Sequence, residues 1–225
     1  MNIGFDLDQT LLNFNKCKIE SLIQVFIDHK IFSSREDERL EKFLNTYEQV
    51  SKYHWEKRGE KPALEVIQFS ISDALKNYGV SFDEYLISQR YWELFCCSSY
   101  LEPGAIEILD ALSKKHQLFC MTNGYSESQR SRLRAANLEH YFEEVFISEE
   151  LGIAKPNPKA LEVCLEKLEL NKEETIYIGD SLKNDYLAAN GAGIHFYFYN
   201  PTNIETTTNK GLTQFSHLKD LLDIL

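Results

Sequence analysis

The chain has 225 residues, about 43% of them apolar, and a formal net charge of −11 at pH 7. That length suits one domain with a sizeable insertion or two small domains, and the apolar share is enough to fill a core. An acidic surface repels phosphate backbones and so speaks against nucleic acid as a partner, and no apolar run approaches the roughly 18 residues that a membrane span needs.

The first residues, MNIGFD, read as a strand over Asn2–Asp6. They carry neither a basic segment nor a cleavable apolar stretch, so the expectation is a cytoplasmic protein without a secretory signal. From Asn15 to Ser98 the pattern is almost wholly helical. Ile19, Leu22, Ile23 and Phe26 form one stripe, and Leu40, Phe43, Leu44 and Tyr47 a second. Leu64, Ile67, Ile71 and Leu75 form a third, and Tyr85, Tyr91, Leu94 and Phe95 sit in a fourth helix. Four amphipathic helices pack as a small bundle, with Gly59 and Gly79 as helix-end punctuation. Pro103-Gly104 then marks a turn. Beyond it, β-rich runs at Gln117–Thr122, Glu144–Ser148, Thr175–Gly179 and Ile194–Tyr199 alternate with helical patterns such as Gly104–Lys115, Tyr125–Ala136, Pro158–Leu168 and Leu182–Asn190. Alternation of this kind predicts βαβ units and a doubly wound, Rossmann-like parallel sheet covered on both faces. The predicted fold class is α/β, with a core of residues 1–14 and 99–225 interrupted by an inserted helical cap of residues 15–98. The five cysteines (Cys17, Cys96, Cys97, Cys120 and Cys164) are odd in number and irregularly spaced. They suit reduced thiols rather than a zinc or disulfide framework.

Acidic residues gather where this sheet would place a ligand. In Asp6-Leu7-Asp8-Gln9-Thr10, residues two apart in an extended chain point the same way. Asp6 and Asp8 are therefore expected to face a common site at the C-terminal end of the first strand, where open α/β sheets bind ligands. One carboxylate would serve as nucleophile and metal ligand, the other as general acid and then base. An Asp-rich turn that merely caps a helix is the structural alternative. Gly179-Asp180-Ser181-Leu182-Lys183-Asn184-Asp185 follows a later strand in the same way. Asp6, Asp180 and a nearby carbonyl would suit a hard cation such as Mg²⁺, with Asp180 or Ser181 as a plain helix cap the alternative. Thr122-Asn123-Gly124 ends another strand and opens a helix, so a hydroxyl and backbone N–H groups offer an anion site, with a plain Thr or Asn helix cap the alternative. Lys155 precedes Pro156 and Pro158, which restrict its backbone, and its ammonium would neutralise a phosphoryl group and the nucleophile, with a merely solvated lysine the alternative.

With these four motifs in this order, the chain resembles the haloacid dehalogenase superfamily, phosphatase branch: DLDQT is similar to the first motif, TNG to the second, the lysine of KPNP to the third and GDSLKND to the fourth. The resemblance implies a strand order of 3-2-1-4-5 and a phosphoaspartate mechanism with Mg²⁺. In it Asp6 attacks phosphorus, and Asp8 protonates the leaving alcohol and later activates water. The metal is held by Asp6, Asp180 and the Asp8 carbonyl with support from Asp185. Thr122 and Asn123 hold phosphate, and Lys155 orders nucleophile and phosphate. Dehalogenases of the superfamily generally lack the second carboxylate, and Asp8 argues against that activity.

TNGYSESQRSRL, YFEEVFISEELGIAKP and the late FYNP resemble more narrowly the branch of pyrimidine 5′-nucleotidases, in which Trp55 occupies the place of a cap tryptophan. Gln68-Phe69 and Ser51 depart from that branch, which carries an Arg-Phe pair and an Asn there. Phe14 and Trp55, together with Tyr53, are the candidates for stacking on a base. The expected substrate is a small phosphomonoester, a nucleoside monophosphate first. A sugar phosphate, phosphoglycolate or acylneuraminate phosphate comes second, and a catalytically silent binding module is the rival outside enzymology. The cap is expected to open and close over the site, and the protein to be a monomer or homodimer.

Overall fold

A computed structural model describes residues 1–59, 61–76, 78, 82–204 and 211–225. The chain runs β1 (Asn2–Phe5), α1 (Phe14–Asp28), α2 (Glu38–Glu56), α3 (Ala63–Leu75), α4 (Glu84–Cys96), α5 (Ala105–Leu112), β2 (Gln117–Thr122), α6 (Ser126–Ala135), β3 (Glu144–Ile147), α7 (Ser148–Leu151), α8 (Lys159–Lys167), β4 (Thr175–Gly179), α9 (Leu187–Ala192), β5 (His195–Tyr199), β6 (Thr213–Phe215) and α10 (Leu221–Ile224). It divides into two compact units, Met1–Phe14 with Ser99–Leu225, and Asn15–Ser98.

In the first unit the strands form one parallel sheet in the order β3-β2-β1-β4-β5-β6. This is the doubly wound α/β architecture that the alternating pattern predicts. The order begins 3-2-1-4-5, and β6 adds an edge strand of three residues, too short to show alternation in the sequence. Period-2 geometry sorts the side chains onto two faces. Ile3, Phe5, Leu118, Cys120, Ile176 and Ile178 join one core with Ile108, Leu109 and Leu112 of α5, Leu133 of α6, and Leu218 and Leu221 near the C-terminus. Phe119, Met121, Tyr177, Phe196 and Phe198 join the other with α8 and α9. Gly4 is needed between the two central neighbours: a Cβ there would lie 2.7 Å from the Tyr177 ring and closer still to Phe119.

Element ends differ from the expected ones by a residue or so. β1 stops at Phe5, β3 at Ile147 because Ser148 opens α7, and β5 begins at His195. The helix expected over Leu182–Asn190 is a π-helical turn, Leu182–Tyr186, running into α9.

In the second unit α2 packs on α3 and α3 on α4. Phe26 and Phe43 meet at 4.7 Å and 73°, an edge-to-face pair, and Phe32 and Tyr78 extend the ring cluster. Asp37 and Asp83 cap α2 and α4 by accepting from Arg39 and Leu86 amides. Ile19 and Tyr85, read as part of the apolar stripes, are exposed. On α1 the buried face is centred on Lys18, Ser21, Leu22 and Val25, which puts Ile19 at its margin. Gly59 has φ 57° just beyond α2, as a helix-end glycine would; Gly79 lies outside the described residues. Among the described residues no helix is long and apolar enough to cross a membrane.

Candidate active site

Strand register lines up the chemistry. Phe5 lies level with Cys120 of β2 and Ile178 of β4, and the Asp6 amide donates to the Ile178 carbonyl at 2.8 Å. Asp6 therefore leaves the sheet between Thr122 and Asp180, all three at strand C-terminal ends. The chain then turns through Gln9, whose φ of 61° is left-handed and rare for a residue with a side chain. The Gln9 amide donates to the Leu12 carbonyl at 2.7 Å, which holds that turn.

Carboxylate oxygens of Asp6, Asp180 and Asp185 all lie within 4.8 Å of one another. A single cation is seated among them. The Lys155 ammonium donates to Asp6 Oδ1 at 2.6 Å, to the Met121 carbonyl at 2.9 Å and to the Tyr177 hydroxyl at 2.7 Å, and pairs with Asp185 Oδ1 at 2.7 Å. Tyr177 in turn donates to the Met121 carbonyl at 2.7 Å. Lys155 is buried, with 3% of its surface exposed. Burial opposes its charge, but Asp185 and Asp6 outweigh burial and hold it above the ordinary lysine range. Burial also raises Asp6, and Asp185 and Asp180 add to it, so Lys155 only partly offsets the rise. Asp180 is pushed up to about 7, by burial first and then by Asp185. Two like charges about 4 Å apart repel by about 4 kcal/mol at an effective dielectric of about 20. Three carboxylates around one ammonium thus leave negative charge that a hard, oxygen-seeking cation would neutralise. The donor set fits Mg²⁺.

Backbone details make the cluster possible. A Cβ on Gly179 would run into the Asp185 carboxylate, so the glycine lets Asp185 fold back under β4. There Asp185 Oδ2 accepts from the Ser181 amide at 2.9 Å. Both Asp185 oxygens are thus engaged, one with Lys155 and one with the loop that carries Asp180. Asn123 clamps the loop of Lys155 through two bonds: its amide donates to the Lys155 carbonyl at 2.7 Å, and its carbonyl accepts from the Lys155 amide at 2.9 Å. Thr122 is buried, and its hydroxyl has no hydrogen-bond partner among the described residues, so it is able to bond a ligand. Of the amides offered to an anion at the start of α6, Gly124 donates instead to Ser148 Oγ and Ser126 to Glu149.

Asp8 does not join the carboxylate cluster. Its Oδ1 accepts from Arg132 Nη1 at 2.6 Å and its Oδ2 from Gln129 Nε2 at 2.8 Å, although its charge still contributes to raising Asp180. Phe14 lies beneath the Arg132 guanidinium, 5.6 Å from ring centre to the guanidinium carbon. Trp55 is half-buried on α2 in the helical unit, and Tyr53 beside it is exposed with Lys57 over its ring. His54, also on α2, bonds Asp73 at 2.8 Å.

Three side chains at the site escaped the sequence reading: Tyr177, Gln129 and Arg132. The i, i+3 spacing of Gln129 and Arg132 in the helix after Thr122 is the available signal, and Arg130 and Arg134 on the same helix hide it among other charges.

Residues 3–199 match the model of a family described as haloacid dehalogenase-like hydrolase. The chain belongs to that family. The pyrimidine 5′-nucleotidase PynA of Streptococcus pneumoniae is 30% identical over 98% of this chain and 93% of its own length. The pyrimidine 5′-nucleotidase YjjG of Escherichia coli is 27% identical over 85% and 82%. Among solved structures, the HAD-hydrolase YfnB from Bacillus subtilis, bound to magnesium and described as revealing interdomain movement, superposes with a TM-score of 0.82 at 27% identity. That match covers 100% of this chain and 97% of the other. The chain is thus a hydrolase of the phosphatase branch, standing near the nucleotidase group. Mg²⁺ is the metal that this family generally uses.

Proposed function

We propose that this hydrolase is a Mg²⁺-dependent phosphomonoesterase that works through a phosphoaspartate on Asp6 and acts on nucleoside 5′-monophosphates, pyrimidine ones first. The observation that carries the mechanism is the Lys155 ammonium on Asp6 Oδ1 at 2.6 Å inside a three-carboxylate cluster. The nucleotide assignment rests on the two nucleotidases that the chain resembles over most of its length.

Asp6, Asp180 and the Asp8 carbonyl would hold the metal, with Asp185 beside them. Bound there, Mg²⁺ supplies Lewis-acid polarisation of the phosphoryl oxygens and cancels the excess carboxylate charge. The protein groups do the rest. Lys155 favours the ionised form of Asp6 and aims it, and the Thr122 hydroxyl gives a hydrogen bond to a phosphoryl oxygen. An Asp6 oxygen attacks phosphorus in line, the bond from phosphorus to the alcohol oxygen breaks, and Asp8 gives that oxygen its proton. Asp8 then takes a proton from the water that attacks the phosphoaspartate. The bond from phosphorus to Asp6 breaks, its electron pair returns to the Asp6 carboxylate, and inorganic phosphate leaves. The helical unit Asn15–Ser98 serves as the cap that selects the alcohol, with Phe14 and Trp55 as stacking candidates. The free thiols, four buried and Cys97 exposed, fit a cytoplasmic enzyme.

Phosphate release from a panel of nucleotides and sugar phosphates, with Mg²⁺ and with EDTA, tests this. The expected result is Mg²⁺-dependent release, led by a pyrimidine nucleoside monophosphate and lost by at least about 10⁴-fold in Asp6→Asn. A sugar phosphate preferred over every nucleotide by more than about tenfold would transfer the assignment to that class. No release at all from folded protein would leave a binding module.

A further inference from the structure

Helix α6 is strongly polar, SESQRSRLRA, yet it turns one of its three arginines fully inward. Arg130 forks onto Glu150 at the surface through bonds of 2.8 and 2.6 Å, and Arg134 faces Glu139 at 3.5 Å. Arg132 has no exposed surface and Gln129, three residues earlier, has 2%. A buried guanidinium cannot shed its charge and is costly without a counter-ion. Its counter-ion is Asp8, on the loop after β1.

The two side chains divide the Asp8 carboxylate between them, Arg132 on Oδ1 at 2.6 Å and Gln129 on Oδ2 at 2.8 Å. Gln129 Nε2 also donates to the Asn123 carbonyl at 3.2 Å, which fixes its amide, because both neighbours are acceptors. Gly124 makes room for it: a Cβ there would sit 2.5 Å from Gln129 Nε2. The Phe14 ring braces the other side of the guanidinium. Two donors on two different oxygens remove the freedom of both side-chain torsions. Each oxygen keeps a second lone pair on which a proton can sit.

We propose that Gln129 and Arg132 are positioning residues that aim the Asp8 carboxyl at the leaving-group oxygen. This rests on the phosphomonoesterase reading, in which Asp8 is the leaving-group acid. A general acid contributes only when held within hydrogen-bond reach of its target. Its loss is felt where the departing oxygen needs a proton, as in an alkyl phosphate or a nucleoside 5′-phosphate. It is felt little where a stabilised phenolate leaves unaided, as from p-nitrophenyl phosphate.

The test compares kcat/KM on a nucleoside 5′-monophosphate and on p-nitrophenyl phosphate for the wild type, Asp8→Asn, Gln129→Ala, Arg132→Ala and Arg132→Lys. Arg132→Ala and Gln129→Ala are expected to lose about 10²-fold on the nucleotide and roughly tenfold less than that on p-nitrophenyl phosphate. Arg132→Lys, which still reaches Oδ1 with a single donor, is expected to recover part of the loss. If Asp8→Asn shows this leaving-group dependence while folded Gln129→Ala and Arg132→Lys lose equally on both substrates, the positioning role is overturned. If Arg132→Ala does not fold, those two variants decide alone. If the wild type cleaves neither substrate, or Asp8→Asn loses equally on both, the failure lies in the phosphomonoesterase reading.

Discussion

The two units bury different things. Among the described residues of Asn15–Ser98 the buried polar groups are Lys18, Ser21, Ser51, Ser70 and Ser88. Three of these serines turn back on their own helix, Ser21 to the Cys17 carbonyl, Ser70 to Val66 and Ser88 to Glu84, each at 2.7–2.8 Å. Such bonds satisfy a hydroxyl and do nothing else, and the interior is otherwise aromatic and aliphatic. In the sheet unit the buried polar groups include Asp6, Thr122, Gln129, Arg132, Lys155 and Asp185. Their partners come from far along the chain: Lys155 reaches back 149 residues to Asp6, and Arg132 reaches 124 to Asp8. One unit is packed for stability, whereas the other gathers buried charges of one sign around a single ammonium. The contrast teaches where to look for function: at buried polar groups whose partners are distant and whose satisfaction is incomplete.

The largest expected effect tests the charged side of that contrast. Lys155→Met keeps the volume and removes the cation that, among the described residues, pairs with Asp6 and Asp185 of the carboxylate cluster. Leaving Asp6 and Asp185 without it is expected to cost about 3–5 kcal/mol in metal-free protein at pH 8 and to lower phosphatase activity by at least about 10²–10³-fold. Urea unfolding and phosphate release measure the two. A variant as stable as the wild type would show that the carboxylates are not forced together in the way the 2.6 and 2.7 Å contacts imply.

The apolar side of the contrast is broken at Phe43, which has no exposed surface and touches Phe26, Phe32, Tyr47 and Tyr78. Phe43→Ala is expected to cost the helical unit about 3–5 kcal/mol through lost burial and the cavity left behind. Hydrogen exchange should then rise across Asn15–Ser98 while the sheet keeps its protection, and calorimetric Mg²⁺ binding should stay as in the wild type. Equal loss of protection in both units would mean that they unfold together and that the division is one of composition alone.

The same contrast explains what the sequence disclosed. The alternating β and helical runs marked the sheet because each strand is long enough for its period to show; β6, at three residues, is not. Asp6 and Asp180 are legible because each follows a strand directly and parallel register brings strand ends together, and Lys155 and Asp185 lie in the connections that run on from β3 and β4. The sequence places Asp8 on the loop after β1; what it does not announce is that the Asp8 carboxylate meets Gln129 and Arg132 of α6, partners that no local pattern signals. Asn123 was expected to offer its backbone to phosphate, and its side chain turned out to clamp the Lys155 loop, a contact across 32 residues. Ile19 was misplaced for a milder reason: a helix stripe fixes its centre better than its margins.

The smallest expected effect sharpens the comparison by titration. The Asp180 carboxyl is pushed from its ordinary 3.8 up to about 7. Below about pH 4 it is protonated in both folded and unfolded chains, so it has no influence on stability. Between 4 and 7 the unfolded chain has lost the proton and the folded one keeps it, so the folded state binds more protons and stability falls as pH rises. Above about 7 the whole cost is present. In metal-free protein Asp180→Asn therefore removes a penalty that exists at pH 8 and not at pH 4. Neighbouring Asp6, raised by burial in the same cluster, titrates with Asp180 and softens the step, so the expected gain at pH 8 is on the order of 1 kcal/mol, or about 2–4 °C in Tm for a chain of this size. Groups that lose stability as pH falls, such as Glu150 held low by Arg130, are common to both proteins and cancel in the difference. Excess Mg²⁺ should reverse the sign at pH 8, because the wild type then gains a ligand that the variant lacks. Thermal melts of both proteins at pH 4.5 and 8, with EDTA and with Mg²⁺, decide it. A gap between them that is the same at both pH values and indifferent to Mg²⁺ would mean that Asp180 is a helix-capping residue and not part of a strained, metal-seeking cluster.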